Sequence, residues 1–163
     1  MLAWALVVGP AVAAAGCATT PGAGGPPVTR LITMFEVSPW LNLDRHRDPR
    51  PEGIAFVLYL WSDKLGRGVH RDGTLHVEIY KRHTVGGEAV RELVDTFTYP
   101  LSQVHRSAKP NSEFGDFYYV TLSWLPYDLS GKAIDIEVRY QDPNGRVVRE
   151  SPVQKLVPAN AFR

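Results

Sequence analysis

The chain has 163 residues, 44% hydrophobic and 21% charged, which is the balance of an ordinary globular protein and excludes a disordered or fibrous one. Its 18 Lys and Arg against 17 Asp and Glu leave a formal charge of +1, too little to draw nucleic acid by long-range attraction. The single cysteine excludes an internal disulfide framework, so the fold must be held by its own core.

The first element in chain order is the apolar run Leu2 to Val12, broken by Gly9-Pro10. It is too short to cross a bilayer, which takes ~20 residues. Ala13-Ala14-Ala15-Gly16-Cys17 follows, placing small side chains directly before the only cysteine. Signal processing needs this order, because the apolar helix enters the membrane and the small residues admit a protease to the backbone. The arrangement resembles the lipobox of bacterial lipoproteins, with Ala14 where that pattern usually carries a branched apolar residue. The resemblance implies a signal peptide over 1–16 and a Cys17 carrying two or three acyl chains. Two chains anchor stably, since each buried methylene contributes ~0.8 kcal/mol. It also implies a cell-envelope protein held on the membrane through Cys17, with Ala18 favouring the outer membrane if the cell has two. The rival reading takes Ala13-x-Ala15 as an ordinary secretory cleavage site, which would leave Cys17 a free thiol.

Ala18 to Pro27 (ATTPGAGGPP) is too poor in apolar surface to offset the ordering of its backbone. Residues 17–28 therefore read as the lipidated cysteine and a flexible linker, with a coil reach of ~16–19 Å for ten residues. From residue 29 to 158 the pattern is that of strands. Leu31, Thr33, Phe35 and Val37 alternate with polar or outward positions until Ser38-Pro39. Asn42 to Gly53 is a polar loop whose Asp44, Asp48 and Glu52 largely cancel its arginines. Ile54 to Trp61 is apolar on both faces, as expected of a strand covered on both sides. Ser62 to Gly73 is a loop, and Thr74 to Lys81 alternates with Leu75, Val77 and Ile79 inward. Arg91 to Tyr99 fits helix and strand spacing alike; the Gly86-Gly87 turn ahead of it favours a strand. Pro100 to Arg106 suits a short helical turn. Asp116 to Trp124 is an aromatic strand, and Lys132 to Tyr140 alternates with Ile134, Ile136, Val138 and Tyr140 inward. Asp142-Pro143-Asn144-Gly145 predicts a bulged hairpin leading into a returning strand, 146–157. The residues from Pro158 on, with 159–163 as the tail, read as loose.

About seven short strands with no long helix predict an all-β fold, an antiparallel β-sandwich resembling immunoglobulin-like domains. The Cys…Trp…Cys signature of true immunoglobulin domains is absent, so the resemblance is one of architecture.

Chemistry is sparse. His46, His70, His76, His83 and His105 show no zinc spacing, and no second cysteine is available. Asp44, Asp48, Asp63, Asp72, Asp116 and Asp142 could reach calcium only by converging from separate loops. No nucleophile elbow or phosphate-binding glycine loop occurs. No catalytic residue, metal or cofactor is expected. Trp40 and Tyr127, beside prolines in predicted loops, are the aromatics expected to be exposed as a binding surface. The sequence thus predicts a non-enzymatic, lipid-anchored binding or scaffolding module. Its partners would be the membrane through Cys17 and an envelope protein or glycan, with no nucleic acid. A carbohydrate- or peptide-binding lipoprotein is the alternative, and an envelope hydrolase a more distant one.

Overall fold

Strict alternation of apolar and polar side chains gives each strand one face to bury, and two such faces close on each other. The computed structural model describes residues 25–43, 49–107 and 113–162, which build two antiparallel sheets. The first orders β1 (Arg30–Met34), β3 (Gly53–Ser62), β8 (Tyr118–Ser123) and β7 (His105–Arg106), with β2 (Trp40–Leu41) and β4 (Arg67–Gly68) also paired to β3. The second orders β10 (Val147–Arg149), β9 (Ala133–Gln141), β5 (Thr74–Val85) and β6 (Glu88–Pro100), with β11 (Val153–Leu156) also on β9. The fold is an all-β antiparallel sandwich. Its long strands divide first, second and fifth against third, fourth, sixth and seventh.

All seven expected strands are present. The higher number comes from three two-residue strands and from a break in the returning strand. Arg149 pairs with Arg139 and Val153 with Ile136, so one strand advances four residues while its partner advances three. Pro152, which has no N–H to give, sits in this bulge.

The core lies between the sheets. Ile54, Phe56, Leu58 and Leu60 of β3 face Leu75, Val77 and Ile79 of β5 and Ile134, Ile136 and Val138 of β9, all buried. Gly86 and Gly87 both take positive φ at the β5–β6 turn, which settles 91–99 as strand. In the Asp142 turn, Gly145 N–H donates to the Asp142 carbonyl at 3.0 Å and Asp142 N–H to the Arg146 carbonyl at 2.9 Å.

Five expectations change. Val37 is fully exposed, because β1 stops at Met34 and the chain turns away toward β2. The short helical turn expected over Pro100 to Arg106 ends at Val104: Gln103 N–H reaches the Pro100 carbonyl at 2.9 Å, and His105–Arg106 then extend along β8. β3 is covered by the second sheet on one face only, its outer Ala55, Val57 and Trp61 being half-buried. The linker ends earlier than expected, since Val28 belongs to the core and Pro26 is tied to Arg71. The tail is held too, with Ala161 N–H on the Pro49 carbonyl at 2.9 Å.

Beside β1, Glu150 accepts the Thr33 N–H at 3.2 Å and links the two sheets along that edge. Burial raises its carboxyl pKa, and the hydrogen bond from the Thr33 N–H only partly opposes the rise. A raised folded pKa supplies stability that is fully present below the unfolded value and lost as pH rises through the folded one. Glu150→Gln is therefore expected to stabilise the domain at neutral pH, with the gain vanishing below about pH 4. Urea melts at both pH values read this; an equal gain at both would contradict it.

Candidate binding surface

The two outward faces of the sandwich differ in chemistry. On the second sheet the outward residues of β5, β6 and β9 form a charged network. Arg91 donates to Glu137 at 2.6 Å and reaches Asp135 at 2.9 Å, while its guanidinium lies 4.1 Å from the Tyr80 ring centroid. Tyr80 in turn donates to Glu78 at 2.7 Å, and Arg139 pairs with Glu78. The hydrogen bond to Glu137 is the main cause raising the Arg91 pKa, and the Glu78 bond does the same for Tyr80. Asp135 is 4% exposed although it points outward, because Arg82 and Arg91 cover it. Fixed and nearly neutral, this network braces a sheet face.

The outer face of the first sheet carries few charges: Arg30, over the Trp61 ring and paired with Asp63, and Glu36 at one groove. The registers place Ile32 beside Tyr59, Met34 beside Val57, and Val57 beside Tyr119. Tyr119 is 48% exposed and stands between two grooves. One, of about 130 Å³, is bounded by Met34, Glu36, Trp40, Val57 and Tyr119. The other, of about 240 Å³, is bounded by Tyr99, Val104, His105, Tyr119 and Thr121. Phe117 meets the Tyr119 ring at 5.0 Å and 80°, and Tyr59 meets Phe117 at 5.6 Å and 53°. Rings so inclined make a ridged surface rather than a flat platform.

Of the two aromatics expected at a binding surface, Tyr127 is 51% exposed, whereas Trp40 is half-buried in β2 and meets Trp124 edge-on at 6.4 Å. Tyr127 N–H donates to the Trp124 carbonyl at 2.7 Å, so both aromatics attach to Trp124. The groove beside Trp40 does not extend to Tyr127. Tyr119, Val57 and Met34 were not singled out in sequence. The available signal was β8 itself, where alternation buries Tyr118 and turns Tyr119 out. Cys17 lies outside the described residues, as do His46, Asp44 and Asp48.

Most of the remaining polar candidates are occupied locally, while His83 Nδ1 stands 4.0 Å from Glu92 without a hydrogen bond. Asp63 pairs with Arg30 at 3.0 Å, Asp72 lies 3.6 Å from Arg106, and Asp142 accepts the N–H groups of Asn144 and Arg146 at 2.9 Å. His70 Nε2 lies 3.1 Å from the Phe117 carbonyl and 3.5 Å from Ser107 Oγ. The carbonyl can only accept, so this geometry selects the tautomer with a proton on Nε2, which then cannot act as a base toward Ser107. His76 Nδ1 lies 3.2 Å from Thr98 Oγ1, and the His105 ring rests 5.5 Å from that of Tyr119. Among the described residues no three His, Cys, Asp or Glu side chains gather as a metal site.

No family model matches the chain, and no curated protein matches it. Among solved structures it is similar to MtrC from Shewanella baltica, with a TM-score of 0.45 and 11% identity over 83% of this chain and 23% of that one.

Proposed function

We propose that the protein is a lipid-anchored, non-enzymatic binding module of the bacterial envelope, held through Cys17 and engaging a protein or peptide partner on the outer face of its first sheet. The observation that supports it is Tyr119, half-exposed between two grooves on a face with few charges. Exposed apolar surface of this kind marks interaction sites, and the opposite face offers fixed ion pairs instead. A ridged surface suits interdigitating side chains of a polypeptide better than the flat rings of a sugar. A glycan ligand is the second reading, supported by the Tyr119, Thr121 and His105 side chains that line the larger groove.

In-cell cross-linking of the full-length protein, followed by mass spectrometry, tests the reading. A discrete protein partner should be captured by the native chain and lost in Tyr119→Lys, an exposed position whose change leaves the core untouched. Capture unaffected by Tyr119→Lys would remove the surface from the account. Retention of cell-wall glycan without a protein partner would favour the second reading.

A further inference from the structure

The chain that precedes the domain is fixed to it earlier than its composition suggests. Arg71 donates from one guanidinium nitrogen to the Pro26 carbonyl at 2.9 Å and from another to the His70 carbonyl at 2.8 Å. Tyr118 and Tyr140 hold that loop from beneath, donating to the Arg71 and Asp72 carbonyls at 2.8 and 2.7 Å. Burial raises both phenol pKa values, that of Tyr140 to about 12, so both remain donors at any physiological pH. Residues 18–24 are then the whole span between Cys17 and Gly25. Whatever its conformation, that span covers no more than about 29 Å. The end of the sandwich carrying Pro26 is where this span joins the domain, and the end carrying Trp40 and Tyr127 lies seven residues of β3 further on, about 24 Å.

The Pro26 end has the surface for a bilayer. The turn Asp63–Gly66 between β3 and β4 projects Leu65, 46% exposed, between Lys64 and Arg67. Leu65 N–H closes the turn on the Ser62 carbonyl at 3.1 Å, and Thr29 fixes the turn beside the tether by accepting the Asp63 N–H on its hydroxyl at 3.1 Å. Most nearby carboxylates are engaged: Asp63 by Arg30, Asp72 by Arg106 and Asp142 by its own turn. Glu113 and Asp116 on the neighbouring loop keep this end only mildly basic. An apolar side chain flanked by cations is the arrangement that enters a headgroup layer while its neighbours meet lipid phosphates.

We propose that the tether-bearing end of the sandwich seats on the lipid surface that holds Cys17, with Leu65 as the inserted side chain. The domain is thereby held upright, with Trp40 and Tyr127 directed away from the membrane. The proposal rests on the lipoprotein reading of Cys17.

The test uses full-length lipidated protein reconstituted in vesicles of phosphatidylethanolamine and phosphatidylglycerol. With Cys17 acylated, a cysteine introduced as Leu65→Cys, or as Lys132→Cys at the far end, is the only free thiol for a nitrobenzoxadiazole label. Lipids spin-labelled in the headgroup should quench the label at 65 several-fold more than the label at 132. Lys64→Glu with Arg67→Glu should reduce quenching at 65 while the protein still sediments with the vesicles. Equal quenching at the two positions in sedimenting protein would overturn the seating and leave the anchor standing. Failure of the protein to sediment would overturn both.

Discussion

Trp124→Ala is expected to cost about 3–5 kcal/mol of folding free energy, the range for truncating a fully buried large aromatic. Trp124 has no exposed surface, and its Nε1–H donates to the Pro51 carbonyl at 3.1 Å. Its backbone N–H donates to the Glu52 carbonyl at 3.1 Å, so the residue joins β8 to the segment entering β3. Alanine would open a cavity, orphan the Pro51 carbonyl and remove the ring against which Trp40 packs. Trp124→Phe keeps most of the volume and loses the donor, which should cost about 1–3 kcal/mol for the buried carbonyl left unpaired. Urea melts of both variants check the pair. A cost for alanine below that for phenylalanine would mean that the ring is not the keystone of this end.

Arg91→Ala is expected to cost about 1–3 kcal/mol, below the 3–5 typical of breaking a fully buried ion pair because the guanidinium is partly in solvent. Arg91 is 39% exposed at its side chain, but Asp135 beneath it is only 5% exposed. Without Arg91 the aspartate keeps only Arg82 at 3.8 Å, and its Oδ1 already lacks a hydrogen bond. Asp135→Ala alone should cost less, since it leaves an arginine that can turn to water. The double substitution Arg91→Met, Asp135→Leu should recover most of the loss, because an apolar pair of similar volume has no charge to desolvate. A double-mutant cycle on the two positions should show coupling of about 0.5–3 kcal/mol. Additive effects would mean that the pair does not act as a unit.

Strands β5 and β9 were legible because Leu75, Val77 and Ile79 in one and Ile134, Ile136, Val138 and Tyr140 in the other recur at every second position and are buried. Gly86-Gly87 and Asp142–Gly145 were legible because turns that need positive φ select glycine. Gly145→Ala should cost about 1 kcal/mol from φ alone, since a Cβ there would meet nothing closer than 3.9 Å. The coverage of β3 was misread. An apolar outward face looks the same in sequence whether a second layer or a few inclined rings cover it. Asp135 shows a similar limit: period two placed it outward, but its burial depends on Arg82 and Arg91, distant in sequence and brought over it by the β5–β6 hairpin. The tie between Arg71 and Pro26 was illegible because it joins a loop to residues whose composition reads as unstructured. Trp40 misled for a related reason. Proline beside it signalled a loop, yet pairing with Ile54 turned its ring toward Trp124.

The proposed anchor at Cys17 is measured directly by the intact mass of the mature N-terminus. Full-length protein expressed in a bacterial host and purified in detergent should begin at Cys17 and carry the added mass of a diacylglycerol, with or without a further amide-linked acyl chain. Cys17→Ser should lose that mass and leave the membrane fraction. A mature chain beginning at Gly16 or Cys17 without lipid, or one retaining Met1 to Gly16, would contradict the anchored module and the orientation built upon it.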